Sequence, residues 1–150
     1  MPAIRIRPAR PADLDALFEL ESTSFNTDVI SRRRLRHWIT ASNGILLVAM
    51  RGGELLGYVL MLTRRDSRFG RLYSLVTARH ARGLGIGRRL LLKAKKLASG
   101  AGCQGIRLEV SDTNTVAIAL YEKLGFERCG FKAGYYENGE NAVRMRLLMP

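Results

Sequence analysis

The chain has 150 residues, 47% of them hydrophobic, with a formal net charge of +12 from 25 Lys and Arg against 13 Asp and Glu. That length and apolar content suit one domain, residues 1–150, with a substantial core, and argue against a disordered tail. No apolar run approaches the roughly 20 residues of a membrane helix, and the start MPAIRIRPAR lacks the apolar stretch of a secretory signal, so a cytoplasmic protein with no membrane role is expected.

In chain order, AIRIRP alternates with period two and predicts a strand closed by Pro8. PADLDALFELESTSF then carries Leu14, Leu17, Phe18 and Glu21 on overlapping helical faces, with Pro11 and Asp13 in the first turn. Ser31 caps a short basic helix, RRRLRHWIT, that stops before Asn43 and Gly44. ILLVAM and ELLGYVLMLTR, joined by RGG, predict a hairpin, and RLYSLVTA extends it into an antiparallel meander. The helix IGRRLLLKAKKLAS, the strand GIRLEV, the helix TVAIALYEKL and two strands around YENGEN complete the chain. This order predicts an α/β fold: a mixed central sheet of about seven strands flanked by about four helices.

Cys103 and Cys129 have neither CxxC nor Cys/His spacing, and His37 and His80 are the only histidines, so no metal site is expected. The arginines are spread over RIRPAR, SRRRLRHW, TRRDSRFGR, ARGLGIGRR and VRMR. They form either a soluble basic surface or the footprint of a polyanionic partner. Without a basic tail or interleaved aromatic residues, nucleic acid is not required.

ARGLGIGRRLL places Gly83, Gly85 and Gly87 at the start of an amphipathic helix whose apolar stripe is Leu90, Leu91, Ala94, Leu97 and Ala98. The first turn of such a helix has unsatisfied N–H groups and a partial positive charge. Glycines there remove the side chains that would keep a diphosphate away. A dinucleotide fingerprint G-x-G-x-x-G fails because Arg88 stands at its last position, and no G-x-x-x-x-G-K-[ST] occurs. A glycine-rich turn with no ligand is the competing reading.

The pattern R-x-x-G-x-G, met by Arg82, Gly85 and Gly87 after a strand and before a helix, resembles the coenzyme A signature of the GCN5-related N-acetyltransferases (GNAT). The resemblance implies that backbone groups of Leu75, Val76 and Thr77 meet the pantetheine arm. It also implies that Gly83, Leu84, Gly85, Ile86, Gly87 and Arg88 hold the pyrophosphate. Thr77-Ala78-Arg79 departs from the Val-Asp-Pro common in that family.

Asn114 lies at a helix start and Tyr121 two turns further on the same face, so both can address one cleft. Gly125 occupies the left-handed position that ends the helix. The stretch LEVSDTNTVAIALYEKLGF is similar to that of the ribosomal-protein alanine N-acetyltransferases through Glu109, Val110, Asn114, Ala117, Leu120, Tyr121 and Leu124-Gly125-Phe126. YYENGENAVRM resembles the ending of that group.

The resemblance implies an acetyl-CoA-dependent N-acetyltransferase acting by direct attack in a ternary complex. Its acceptor would be the N-terminal α-amine of a protein or peptide, ribosomal proteins included. A lysine or small-amine acetyltransferase and a non-catalytic acyl-CoA-binding or RNA-associated module are the alternatives. Neutralising an α-amine of pKa near 8 at pH 7 costs about 1 to 1.4 kcal/mol, against about 4.6 for lysine. A modest base therefore suits the α-amine. Glu109 is the candidate base, directly or through water, and Tyr121 the candidate acid, with Asn114 positioning coenzyme A or water. Glu109 paired with Arg107 or another arginine, Tyr121 as packing, and Asn114 as a helix cap are the structural alternatives. Phe25, Tyr135 and Tyr136 are candidates for the acceptor groove. Asn138-Gly139 after the tyrosines predicts a type I′ turn in the final hairpin. A monomer or a homodimer is compatible with all of this.

Overall fold

The computed structural model describes residues 2–25 and 28–149. Seven strands, β1 (Ile4–Pro8), β2 (Gly44–Arg51), β3 (Glu54–Leu62), β4 (Phe69–Thr77), β5 (Gly105–Ser111), β6 (Glu127–Lys132) and β7 (Ala142–Leu148), form one sheet in the order β1-β2-β3-β4-β5-β7-β6. Four helices join them: α1 (Leu14–Ser24), α2 (Arg32–Thr40), α3 (Ile86–Gly100) and α4 (Thr115–Lys123). Among the described residues only β4 and β5 run parallel; the α3 crossover makes that possible, because parallel neighbours need a long connection. Among the described residues no helix is long and apolar enough to cross a membrane.

Local chemistry sets the helix ends. Pro11–Asp13 form a 3-10 turn leading into α1, where Asp13 accepts from the Arg10 amide at 2.7 Å and pairs with Arg7 at 2.7 Å. This pairing holds the Asp13 carboxyl below its usual range, the Arg7 hydrogen bond being the main cause. The Ser31 Oγ accepts from the Arg34 amide at 3.2 Å, capping α2 as its sequence predicts.

The helix α3 packs its apolar stripe on the β2-β3-β4 sheet, burying Ile86, Leu90, Leu91, Ala94 and Ala98. Leu97, expected in that stripe, is 39% exposed instead, because it stands on the shoulder of the helix rather than on its inward face. Gly57 on β3 lies beneath this packing. A Cβ there would sit 2.7 Å from the Val76 carbonyl oxygen and 3.1 Å from Ile86, so glycine lets the helix approach the sheet. Truncating Leu90, which is fully buried, would cost about 2–5 kcal/mol.

The sheet splits between β4 and β5. They pair only from Phe69↔Gly105 to Leu72↔Leu108. Beyond that point β4 stays with β3 and β5 stays with β7. Leu60 pairs with Ser74 and Met61 with Leu72, so Tyr73 is an extra residue on β4. Such a bulge bends its strand, and here it marks where β4 leaves β5.

Candidate active site

The first turn of α3 lies close to the split. Gly83 (φ +85°) and Gly85 (φ +74°) adopt left-handed backbone, which glycine does without the cost of roughly 1–2 kcal/mol that other residues incur. Gly85 is the N-cap, and no side chain caps the helix, so the amides of its first turn are left as donors. Ile86 is buried and anchors the turn, whereas Arg82, Gly83, Leu84, Gly85 and Arg88 are exposed. A Cβ on Gly87 would lie 3.6 Å from Leu120, 3.7 Å from Thr77 Oγ1 and 4.0 Å from Leu75, which brings the turn against the end of β4 and against α4. Uncapped amides, a helix dipole and nearby guanidinium groups are a donor set that fits a diphosphate.

A cleft of about 700 Å³ opens at the split, and it is lined by residues of α1, β4, β5, α4 and the loops flanking α1 and β7. Glu109 lies on its wall with a side chain only 8% exposed. Three guanidinium groups surround this carboxylate: Arg71 at 3.3 Å, Arg107 at 3.6 Å and Arg144 at 3.9 Å. The arginine pairing weighed for Glu109 is therefore present. Glu109 Oε2 and Arg71 Nε are nevertheless buried without a hydrogen-bond partner. A carboxylate on a cleft wall whose hydrogen-bonding capacity is not filled can accept a proton from an amine or a water. Arg71 also donates to the Tyr135 hydroxyl at 3.1 Å.

Tyr121 is nearly buried, its ring tilted against Phe126 at 5.6 Å, and it lines the same cleft as Glu109 and Asn114. Burial pushes its hydroxyl up to about 12, which keeps it a protonated donor through the neutral range. Asn114 Oδ1 accepts from the Ala117 amide at 3.2 Å, so its carbonyl caps α4. Tyr136 also lines the cleft, and burial, together with the neighbouring Tyr135, Glu109, Asp28 and Tyr121, raises its hydroxyl above the ordinary tyrosine value.

The expected site residues thus fall into two adjoining regions. Leu75, Glu109, Asn114, Tyr121, Phe25, Tyr135 and Tyr136 line the cleft, and Arg82 to Arg88 form the turn beside it. Leu75, Val76 and Thr77 are on β4 beyond its last pair with β5. The predicted type I′ turn is absent. Gly139 donates to the Tyr136 carbonyl at 2.9 Å, so Glu137 and Asn138 are the central residues, and Gly139 alone takes positive φ. With β6 ending at Lys132, Tyr135 and Tyr136 belong to the connection and not to a strand.

Several cleft residues have no sequence signal. Arg71 lies two residues before the β4 bulge at Tyr73, and the guanidinium groups of Arg34 and Arg71 are each 5.3 Å from the Tyr73 ring centre. Glu21, 1% exposed, accepts from the Ile30 amide at 2.8 Å and from the Tyr58 hydroxyl, which also bonds Ser74 at 2.9 Å. Burial raises the Glu21 carboxyl and, with that carboxyl beside it, the Tyr58 hydroxyl. Across the cleft mouth the Glu137 amide donates to Asp28 at 3.2 Å, joining the loop before α2 to the loop before β7.

The chain is similar to known acetyltransferases in sequence and in fold. The chain is 34% identical over 141 residues to an uncharacterised N-acetyltransferase, MJ1530, of Methanocaldococcus jannaschii, covering 93% of this chain and 88% of that protein. It is 32% identical over 117 residues to the N-alpha-acetyltransferase MAK3 of Arabidopsis thaliana, covering 77% of this chain but only 62% of that protein's length. The crystal structure of the ribosomal-protein-S18-alanine N-acetyltransferase from Escherichia coli superposes with a TM-score of 0.86 at 23% identity, over 98% of this chain and 94% of that one. A model of the acetyltransferase (GNAT) family matches residues 14–126, and with these overlaps of sequence and fold the chain belongs to that family.

Proposed function

We propose that the chain transfers an acetyl group from acetyl-CoA to the α-amine of a protein or peptide, by direct attack while both are bound. The observation that carries this reading is the orphaned Glu109 Oε2 in the same cleft as the protonated Tyr121, beside the uncapped amides of α3. The N-alpha-acetyltransferase of Arabidopsis, similar over 77% of this chain, supports an α-amine as acceptor. A reducing cytoplasm suits the free Cys103 and Cys129.

Backbone amides of Gly83 to Arg88, with Arg82 and Arg88 close by, would hold the pyrophosphate of coenzyme A. The free side of β4 over Leu75, Val76 and Thr77 would take its arm, and the Asn114 amide group would complete the grip. Bound there, coenzyme A supplies an acetyl thioester, whose C–S bond breaks as the amine's C–N bond forms. The Glu109 carboxylate, directly or through one water, accepts the proton that the amine nitrogen sheds. The Tyr121 hydroxyl gives its proton to the departing sulfur. Arg71, Arg107 and Arg144 around Glu109 disfavour an ammonium ion in the cleft, which raises the neutral fraction of a bound amine. An α-amine needs little such help and lysine needs much more. Phe25, Tyr135 and Tyr136 would border the first residues of the acceptor.

Mass spectrometry of two peptides incubated with acetyl-CoA tests this reading. One has a free N-terminus and no lysine; the other is blocked at its N-terminus and has one lysine. The expected result is a gain of one acetyl group on the first only. Acetylation of the second alone would assign a lysine acetyltransferase, and coenzyme A binding without turnover on either would assign a binding module.

A further inference from the structure

The sheet carries a row of like charges that begins with arginines beside Glu109 and runs on past the reacting groups to Arg146, which the proposed chemistry does not use. Arg71 on β4 is the register partner of Arg107 on β5, and Arg107 is the partner of Arg146 on β7. Partners in register project from the same face, so three arginines stand side by side across three strands, with Glu127 of β6 opposite Arg146 at the end of the row. One step along, Glu109 pairs with Arg144. Four arginines therefore share this face with two carboxylates. Arg107, Arg144 and Arg146 are exposed.

Like charges directly opposite on a sheet are destabilising, and this face retains two such pairs in a row. At the inner end of the row Arg71 Nε lies 3.3 Å from Glu109 Oε2, and this one carboxylate is shared by Arg71, Arg107 and Arg144, which leaves the row with an excess of positive charge. Because Arg71 and Arg107 also touch Glu109, the row begins at the wall of the cleft and leads outward from it.

Resting on the reading of the cleft as an α-amine acceptor site, we infer that this row selects the acceptor. It favours polypeptides with Asp or Glu among the residues that follow the N-terminal one. An extended chain leaving the cleft over this face would present alternate side chains about 6.8 Å apart, the spacing of Arg144 and Arg146 along β7. Peptide fits better than single-stranded nucleic acid because the aromatic rings bordering the row already have cationic neighbours. The guanidinium groups of Arg34 and Arg71 each lie 5.3 Å from the Tyr73 ring centre, and Lys132 Nζ stands 5.5 Å from the Tyr135 ring centre. Those cations compete with bases for the ring faces on which single-stranded nucleic acid would stack.

The test uses two peptides with the same first residue and free α-amine, one with Asp and Glu at positions two to six and one with Asn and Gln. Both kcat/KM and fluorescence-anisotropy Kd are measured on the whole chain. The expected result is about ten-fold higher kcat/KM and tighter binding for the acidic peptide, decaying as salt rises. Arg146→Glu, on an exposed position away from the reacting atoms, should abolish the preference while leaving the amide peptide within about two-fold of wild type. Arg107→Gln should reduce the preference in the same direction. If neither peptide is acetylated, the activity reading fails, and the binding ratio still judges this inference. Equal values for both peptides, a preference unchanged in Arg146→Glu, or tight binding of a uridine 20-mer RNA with no peptide preference would overturn it.

Discussion

Arg71 and Glu109 flank the last paired residues of β4 and β5, Leu72 and Leu108, and their side chains meet across the opening with Nε 3.3 Å from Oε2. Close enough for charge attraction, the two atoms lack hydrogen-bond geometry, so the contact neutralises charge without using up the carboxylate oxygen. Glu109→Gln keeps the shape and removes the base. The expected outcome is a fall in kcat of about 100-fold or more, in the range for loss of a general base, with coenzyme A affinity retained. Steady-state kinetics beside calorimetry with coenzyme A checks both halves.

Tyr121→Phe separates chemistry from packing at the opposite wall. The ring that lies on Phe126 is preserved, and only the hydroxyl is lost. A kcat decrease of about 100-fold with an unchanged melting temperature is expected. A variant that melts early and keeps its turnover would make Tyr121 a packing residue.

Two neighbouring glycines should respond in opposite ways. Gly85 has a φ of +74°, so Gly85→Ala strains the turn and costs about 1–2 kcal/mol of stability. Gly87 is helical with room for a methyl group, its nearest atoms being 3.6–4.0 Å from a built Cβ. Gly87→Ala should therefore melt no lower than wild type, alanine being favoured in helices by about 0.8–1.0 kcal/mol. It should nevertheless raise KM for acetyl-CoA by about ten-fold, since the methyl group intrudes where the diphosphate must approach the amides.

Glu21 makes stability depend on pH. Burial raises its carboxyl above the ordinary value near 4.3, so the folded chain binds this proton more tightly than the unfolded one. Its contribution is present in full below about pH 4.3 and is lost as pH rises through the folded value. Urea melts of wild type and Glu21→Gln from pH 4 to 7 should show the stability difference moving steadily in favour of the glutamine variant.

The element order and the Ser31 cap were legible because period-two and period-3.6 patterns are local, as was the common cleft of Asn114 and Tyr121, which a two-turn spacing decides. Arg71 and Tyr73 were not, since their roles depend on a bulge and on the register of β4 with β5, which are properties of strand pairing. Glu21 read as one more residue on a helical face, and its burial is decided by Tyr58 and Ile30 reaching it from elsewhere in the chain. Asn138-Gly139 misled because the dipeptide favours a type I′ turn between strands, whereas here the strands end well before it and a longer connection is free to choose another turn.

The central claim is that the first turn of α3 grips a diphosphate and aims a thioester into the β4/β5 split. Amide hydrogen exchange with and without coenzyme A tests it directly. Slowed exchange confined to Gly83–Arg88 and to Tyr73–Thr77, with β1 and β2 unchanged, is the expected result. Unchanged exchange in both segments at saturating coenzyme A, or protection on another face of the sheet, would contradict it.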